Sequence, residues 1–237
     1  MSRAHWAIFV CLFSLGLSWS AQGQGAALPD SDELYRRIRE KYRPMYENYI
    51  GIENRSRVEA RRYDSKTGEL KESSRLVTEV RNYFYKKAER RVLKYQKDGV
   101  ELDPSEADNS RQGEPMFPIW DRDGPSNYRV TVVGKREQRG QLCYALKVEA
   151  RKKTKRHFQG SAYVNAETLA LVSLDGGMAD VPFGVESVRF RADFKQQGDL
   201  MAYEGFEMEA FADIPLLYPD VRFISTSQVL ESRGIPK

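Results

Sequence analysis

Residues 140–150 carry the sequence GQLCYALKVEA. Behind the Gly140 turn residue, apolar side chains alternate with other residues without a break; they are Leu142, Tyr144, Leu146, Val148 and Ala150. A period of two places these side chains on one face of a half-buried β-strand. This stretch predicts an antiparallel β protein, and weaker alternation continues on both sides of it.

Short turns separate the alternating segments, and no helical pattern lies between them. Turn residues cluster at 64–68, 97–99, 139–140, 165–168 and 197–199. Because a parallel return needs a longer crossover, neighbouring strands must run antiparallel. The pattern predicts about ten strands in a meander, and a twisted sheet of that size tends to curl.

One helix is predicted, ahead of the strands. Its apolar residues recur at a spacing of three and four; they are Leu34, Ile38, Tyr42, Met45 and Tyr49. Residues 30–32 are suitable caps, and Pro44 is expected to kink or divide the helix. The expected fold is mainly β, a curved antiparallel sheet or unclosed half-barrel with this N-terminal helix packed on it. The interior of such a fold is either a packed core or a ligand cavity.

The N-terminal residues predict export. Arg3 precedes twelve uncharged residues at 6–17, and small residues follow at 18–23. This is the pattern of a secretory signal peptide, and it is short for a membrane anchor. We expect a signal peptide at 1–23, a flexible lead-in at 24–29 and a single β-rich domain at 30–237. The mature protein is expected in the periplasm, soluble after cleavage.

The composition restricts the partners and the chemistry. Without Arg3 the formal charge falls from +4 to +3, which is too weak a bias to predict nucleic acid as a partner. Cys143 is the only cysteine after the signal peptide, so the mature chain has no internal disulfide. It lies out of phase with the apolar stripe of its strand and is expected to pack as a small thiol.

No catalytic residue, metal site or cofactor is predicted. His157 is the only histidine of the mature chain, and its basic neighbours predict that it is solvated. No Gly-rich phosphate loop or nucleophile elbow occurs. Carboxylates gather in one long loop, so a loop-based acid enzyme is a third hypothesis for the function. Those residues are Asp103, Glu106, Asp108, Glu114, Asp121 and Asp123.

That loop, residues 102–127, is rich in Pro, Gly, Asp and Ser but contains four large apolar residues. They are Met116, Phe117, Ile119 and Trp120. A structureless loop of this length is uncommon in a compact domain and often functional. Two interpretations stay open: the four side chains fill the core, or they form a movable lid over a cavity.

A second charged segment follows the strand at 140–150. Its residues include Lys152, Lys153, Lys155 and Arg156. As a hairpin turn, this segment is either a solvated cluster that protects the sheet edge or a surface for anionic lipid headgroups or an acidic envelope protein.

Three stretches resemble the periplasmic lipoprotein-carrier superfamily, LolA-like proteins with their RseB-like relatives. They are 140–150, then 157–169 with the sequence HFQGSAYVNAETL, and the closing segment 213–225. The resemblance implies an unclosed barrel whose apolar cavity holds acyl chains. It also implies a protein that carries or senses lipids or lipidated proteins in the periplasm.

The leading hypothesis is therefore an exported, non-enzymatic carrier of a hydrophobic ligand, such as a lipid or lipoprotein. The predicted wall of its cavity is Tyr144, Leu146 and Val148 on the concave face, with the apolar residues of the long loop as its lid. The alternative is a cell-envelope interaction module with a packed interior and no small-molecule ligand.

Overall fold

The computed structural model describes residues 27–107, 115–214 and 218–237. The predicted signal peptide and the first residues of the lead-in lie outside this range. Within it, no helix is both long enough and apolar enough to cross a bilayer.

The described residues form two α-helices, one 3₁₀ helix and eleven strands. The helices are α1 (Ser31–Asn48), a 3₁₀ turn (Pro104–Glu106) and α2 (Gly124–Asn127). The strands are β1 (Tyr49–Asp64), β2 (Leu70–Tyr83), β3 (Glu89–Lys97), β4 (Val100–Leu102), β5 (Tyr128–Gln138), β6 (Gln141–Ala150), β7 (Phe158–Asn165), β8 (Leu171–Met178), β9 (Val185–Gln197), β10 (Leu200–Ile214) and β11 (Tyr218–Pro236).

Helix α1 forms where its spacing predicts it. The Asp30 side chain caps the helix by accepting from the Glu33 N–H at 2.9 Å. Four residues of the predicted stripe are buried, Leu34, Ile38, Tyr42 and Met45, whereas Tyr49 is partly exposed and begins β1. The expected division at Pro44 is wrong: the helix continues to Asn48, because Met45 packs fully into the core one residue beyond the proline.

The strands form one unclosed antiparallel sheet, as predicted. In the described part of the chain its order is β4-β3-β2-β1-β11-β10-β9-β8-β7-β6-β5. The chain is not one uninterrupted meander, because β1 pairs with β11, the last strand, from Tyr49–Pro236 to Asp64–Val221. The two sheet edges are therefore β4 and β5, and residues 103–127 connect one edge to the other.

Helix α1 crosses the inner face of this sheet. The Ser31 hydroxyl accepts from the Val132 N–H of β5 at 3.0 Å, and the other helix end leads directly into β1. Seven strand spacings separate β1 from β5, about 34 Å in a flat sheet. An 18-residue helix is only about 27 Å long. The sheet therefore curves around the helix.

The main core lies between α1 and the inner face of the sheet. It includes the helix residues and side chains from β1 and from β5 to β10. A smaller cluster of Leu76, Val92 and Ala107 lies at β2 and β3. The strand predicted at 140–150 is confirmed as β6, and Leu146 and Val148 of its apolar stripe belong to the main core, whereas Leu142 is 57% exposed.

Two paired glycines give the sheet room for an aromatic ring. Gly160 of β7 pairs with Gly176 of β8, and the Phe158 ring lies against both. A Cβ atom on Gly176 would lie 2.9 Å from Phe158 Cε2 and would also meet the Gln159 carbonyl oxygen. The backbone therefore requires glycine here.

We predict that Gly176→Ala lowers the free energy of unfolding by about 1–3 kcal/mol, because the new methyl group overpacks the site. Urea unfolding measures this change. Gly205→Ala is the matched control on β10, since the new Cβ atom would lie 3.6 Å from its nearest neighbour, the Ser227 carbonyl oxygen. Equal stability of the two variants would contradict the described packing.

Candidate functional site

An apolar cavity of about 410 Å³ lies between α1, the sheet and the loop at 115–120. Its wall contains the four apolar loop residues predicted as a lid, together with residues of the helix and of several strands. The other lining residues are Met45, Tyr46, Ile52, Asn82, Tyr83, Phe84, Ala88, Pro115, Pro118, Phe158, Leu174, Phe194, Met201 and Tyr203. None of these lining residues, all within the described ranges, carries a charged side chain.

The four loop residues differ in their exposure. Ile119 and Trp120 are 6% and 1% exposed and belong to the main core. Phe117 is partly buried against that core, and Met116 is 36% exposed at the surface end of the cavity. Ile119 and Trp120 thus pack as the core interpretation expects, while their role as a lid stays a prediction.

Side chains from α1 and β5 hold the loop by its main chain. The Tyr35 hydroxyl donates to the Ile119 carbonyl at 2.7 Å, and the Tyr128 hydroxyl donates to the Phe117 carbonyl at 2.7 Å. Arg39 Nε donates to the Asp121 carbonyl at 2.9 Å. Because these carbonyls have partners, the loop keeps a defined course without regular secondary structure.

The basic segment after β6 also contacts the loop, through its last residue. The Arg156 guanidinium lies 4.1 Å from the centre of the Phe117 ring, and its Nε donates to the Pro115 carbonyl at 3.1 Å. The Phe117 N–H donates to the Arg156 carbonyl at 2.7 Å. Lys152, Lys153 and Lys155 are exposed. The three lysines therefore face solvent, whereas Arg156 contacts the loop that forms part of the cavity wall.

The predicted wall residues on β6 lie on the inner face but beside the cavity. Leu146 and Val148 are 1% exposed in the core, and Tyr144 packs against it. None of the three is among the residues that line the cavity. Their contact with a ligand stays a prediction. Phe194 on β9 and Met201 on β10 also line the wall, and the sequence pattern did not identify either as a site residue.

His157 is not solvated, and that prediction is wrong. His157 is 2% exposed. Its ring centre lies 4.8 Å from that of Phe117 and 5.6 Å from that of Tyr128. Its Nδ1 lies 2.7 Å from the Thr154 hydroxyl. The basic neighbours in sequence belong to the turn, whereas His157 directs its ring inward at the start of β7. Burial lowers its pKa, and the nearby charges of Lys152 and Arg156 lower it further.

Three of the four described carboxylates of the loop have hydrogen-bond partners, and for Asp123 the side chain does not cap the helix that follows it. Asp103 and Glu106 form a reciprocal capping box on the 3₁₀ turn. Asp121 is 3% exposed and accepts from the Tyr85 hydroxyl at 3.0 Å. Burial raises the pKa of Asp121, against the effect of that hydrogen bond. Asp108 and Glu114 lie outside the described residues. Among the described residues, no group of His, Cys, Asp and Glu could hold a metal ion.

Cys143 is a free thiol that is fully buried on β6. It is not part of the main core cluster, as expected for a side chain out of phase with Tyr144 and Leu146. Burial raises the pKa of the thiol, which disfavours the nucleophilic thiolate. The expectation of a small packed thiol fits this environment.

We predict that the free energy of unfolding decreases as the pH falls from about 7 to 5, and that His157→Gln reduces this decrease. The folded pKa of His157 is lower than its unfolded value, so the unfolded chain binds the proton first. Stability is therefore lost as the pH falls below the unfolded pKa. Urea unfolding of both proteins across this range measures the difference.

Equal pH slopes for the two proteins would contradict the buried, neutral state of His157. The comparison isolates this residue, because carboxyl groups contribute alike to both proteins and residues 6–237 contain no other histidine.

No family model matches the sequence, and no curated protein matches it. Among solved structures, the chain is similar to LolA superfamily protein NE2245 from Nitrosomonas europaea, with a TM-score of 0.44, 7% identity and coverage of 89% of this chain and 95% of that one. A domain of an outer membrane lipoprotein-sorting protein from Vibrio parahaemolyticus gives a TM-score of 0.39, 8% identity and coverage of 86% of this chain and 92% of that one.

The MucA/MucB complex of Pseudomonas aeruginosa contains a third similar chain, with a TM-score of 0.26, 11% identity and coverage of 86% of this chain and 99% of that one. A LolA superfamily protein and MucB are therefore among the solved structures to which the chain is similar.

Proposed function

We propose that this chain is an exported, non-enzymatic binding protein of the periplasm that carries a hydrophobic ligand in its apolar cavity. The ligand is an acyl chain, either of a lipid or of a lipoprotein. The observation that carries the proposal is the cavity itself, with its uncharged wall of aromatic and aliphatic side chains.

The size of the cavity supports a small-molecule ligand. Its volume of about 410 Å³ lies within the range of about 300–1,000 Å³ that is usual for ligand pockets. Transfer of an acyl chain from water into such a site is favourable by about 25 cal/mol for each Å² of apolar surface that is buried. The uncharged lining favours the carrier hypothesis over that alternative, because other clefts of about 290–570 Å³ on the described chain have charged linings.

The chemistry of the wall supports an uncharged ligand chain. Tyr46 packs edge to face against Phe84 at 4.9 Å, and Tyr203 lies 4.7 Å from Phe194. Burial raises the pKa of Tyr46 well above its ordinary value and also raises that of Tyr203. Both phenols therefore stay neutral at physiological pH. Since the described wall has neither a charged group nor an activated nucleophile, we propose binding without catalysis and without a cofactor.

Trp120 is a poor position for testing this proposal by truncation. It is 1% exposed, so Trp120→Ala would cost about 3–5 kcal/mol in stability whether or not a ligand binds. A substitution that fills the cavity from a partly exposed position separates binding from folding.

We predict that Met201→Trp weakens the binding of a fluorescent fatty acid at least about tenfold, because the indole occupies the space of the ligand chain. Met208→Trp is the matched control: it lies on the same strand and also packs partly buried against the core, but it does not line the cavity. Fluorescence titration measures both affinities, and circular dichroism checks that both variants fold. Equal affinities for the two variants would refute the cavity as the binding site.

A further inference from the structure

Two turns lie side by side at one end of the sheet. They are the β6–β7 turn at 151–157 and the β8–β9 connection at 179–184. Phe158 of β7 pairs with Met178 of β8, and the Ala179 N–H donates to the His157 carbonyl at 2.7 Å. The two turns therefore form one surface, which we call the basic tip.

Phe183 projects from the basic tip into solvent. It is 94% exposed, the highest value among the exposed large hydrophobic residues of the described chain; the next is Val100 at 60%. The backbone beside it is held in place: the Val185 N–H donates to the Pro182 carbonyl at 3.0 Å, and the Asp213 N–H donates to the Gly184 carbonyl at 2.9 Å. A structured turn thus holds this ring away from the core.

The basic tip carries a net positive charge, while the acidic residue Asp213 lies beside Gly184 of the second turn. Segments 151–156 and 179–184 contain five basic side chains and one carboxylate, that of Asp180. Lys152, Lys153 and Lys155 are exposed. An apolar residue that stands alone on a surface needs no explanation by itself. Here the net positive charge of the two turns points to an anionic partner.

We propose that the basic tip docks on a membrane surface that contains anionic lipids. The lysines contact the headgroups, and Phe183 inserts at the boundary between headgroups and acyl chains. A stable protein interface would offer a contiguous apolar patch with a polar rim. A single exposed aromatic ring on the same tip as the lysines fits a bilayer surface better.

The basic tip lies next to one side of the cavity. Arg156, within the first turn, holds the main chain of Pro115 and Phe117. Met116 lies between these two residues, lines the cavity and is 36% exposed. Docking would therefore bring this side of the cavity close to the bilayer. The docking proposal itself does not depend on a ligand, because it concerns the empty protein and a vesicle.

Vesicle sedimentation of the mature chain tests the proposal, with vesicles of phosphatidylcholine alone and of phosphatidylcholine with phosphatidylglycerol. We expect binding only to the anionic vesicles, and less of it at high salt. Phe183→Ala should weaken binding about tenfold. The double variant Lys152→Glu/Lys153→Glu should weaken it at least about 30-fold.

Controls come from the opposite end of the sheet. Leu142→Ala removes an apolar side chain that is 57% exposed beside the β5–β6 turn, and Lys195→Glu reverses an exposed charge near the β9–β10 turn. Both should bind anionic vesicles like the wild type. The proposal is overturned if the wild type does not bind anionic vesicles, or if the tip variants bind them as well as the control variants do. Unchanged fatty-acid affinity in the Phe183→Ala protein would show that the cavity and the tip act independently.

Discussion

The pairing of β1 with β11 is the constraint on which the rest of this structure depends. These are the first and the last strands of the chain, and they pair along nearly their whole length. The pairing places β1–β4 on one side of the sheet and β5–β11 on the other, so the sheet ends at β4 and β5. Residues 103–127 must then pass from one edge to the other. Because α1 lies on the inner face of the curved sheet, this passage closes the space beside the helix.

Side chains that are distant in sequence hold the connecting loop in its conformation. Tyr35 and Arg39 on α1, Tyr128 on β5 and Arg156 before β7 donate to its carbonyl groups. Paired backbone groups remove the main cost of placing an irregular segment over an apolar interior. The loop can therefore direct Ile119 and Trp120 into the core and leave Met116 and Phe117 at the cavity wall. The same contacts connect the cavity to the basic tip through Arg156.

Local features of the structure could be predicted from the sequence, and non-local ones could not. The caps and spacing of α1, the hairpin turns and the alternation of β6 are short-range patterns, and each appears where it was predicted. The β1–β11 pairing joins segments from opposite ends of the chain, so the pattern of short turns between neighbouring strands does not predict it. The prediction for His157 failed for a related reason. Its sequence neighbours are cations, but the turn directs them outward while the strand places the imidazole between Phe117 and Tyr128. The cavity wall likewise gathers residues such as Tyr46 and Met201, whose proximity depends on the whole topology.

The central claim is that the space beneath the loop holds a hydrophobic ligand. Native mass spectrometry is the test, on protein purified without detergent from the cells that produce it, with lipid extraction of the same sample. The account predicts a bound acyl-chain molecule in near-stoichiometric amount, lost in the Met201→Trp protein and retained in Met208→Trp. A bare polypeptide mass, together with no uptake of added fatty acid, would contradict the account.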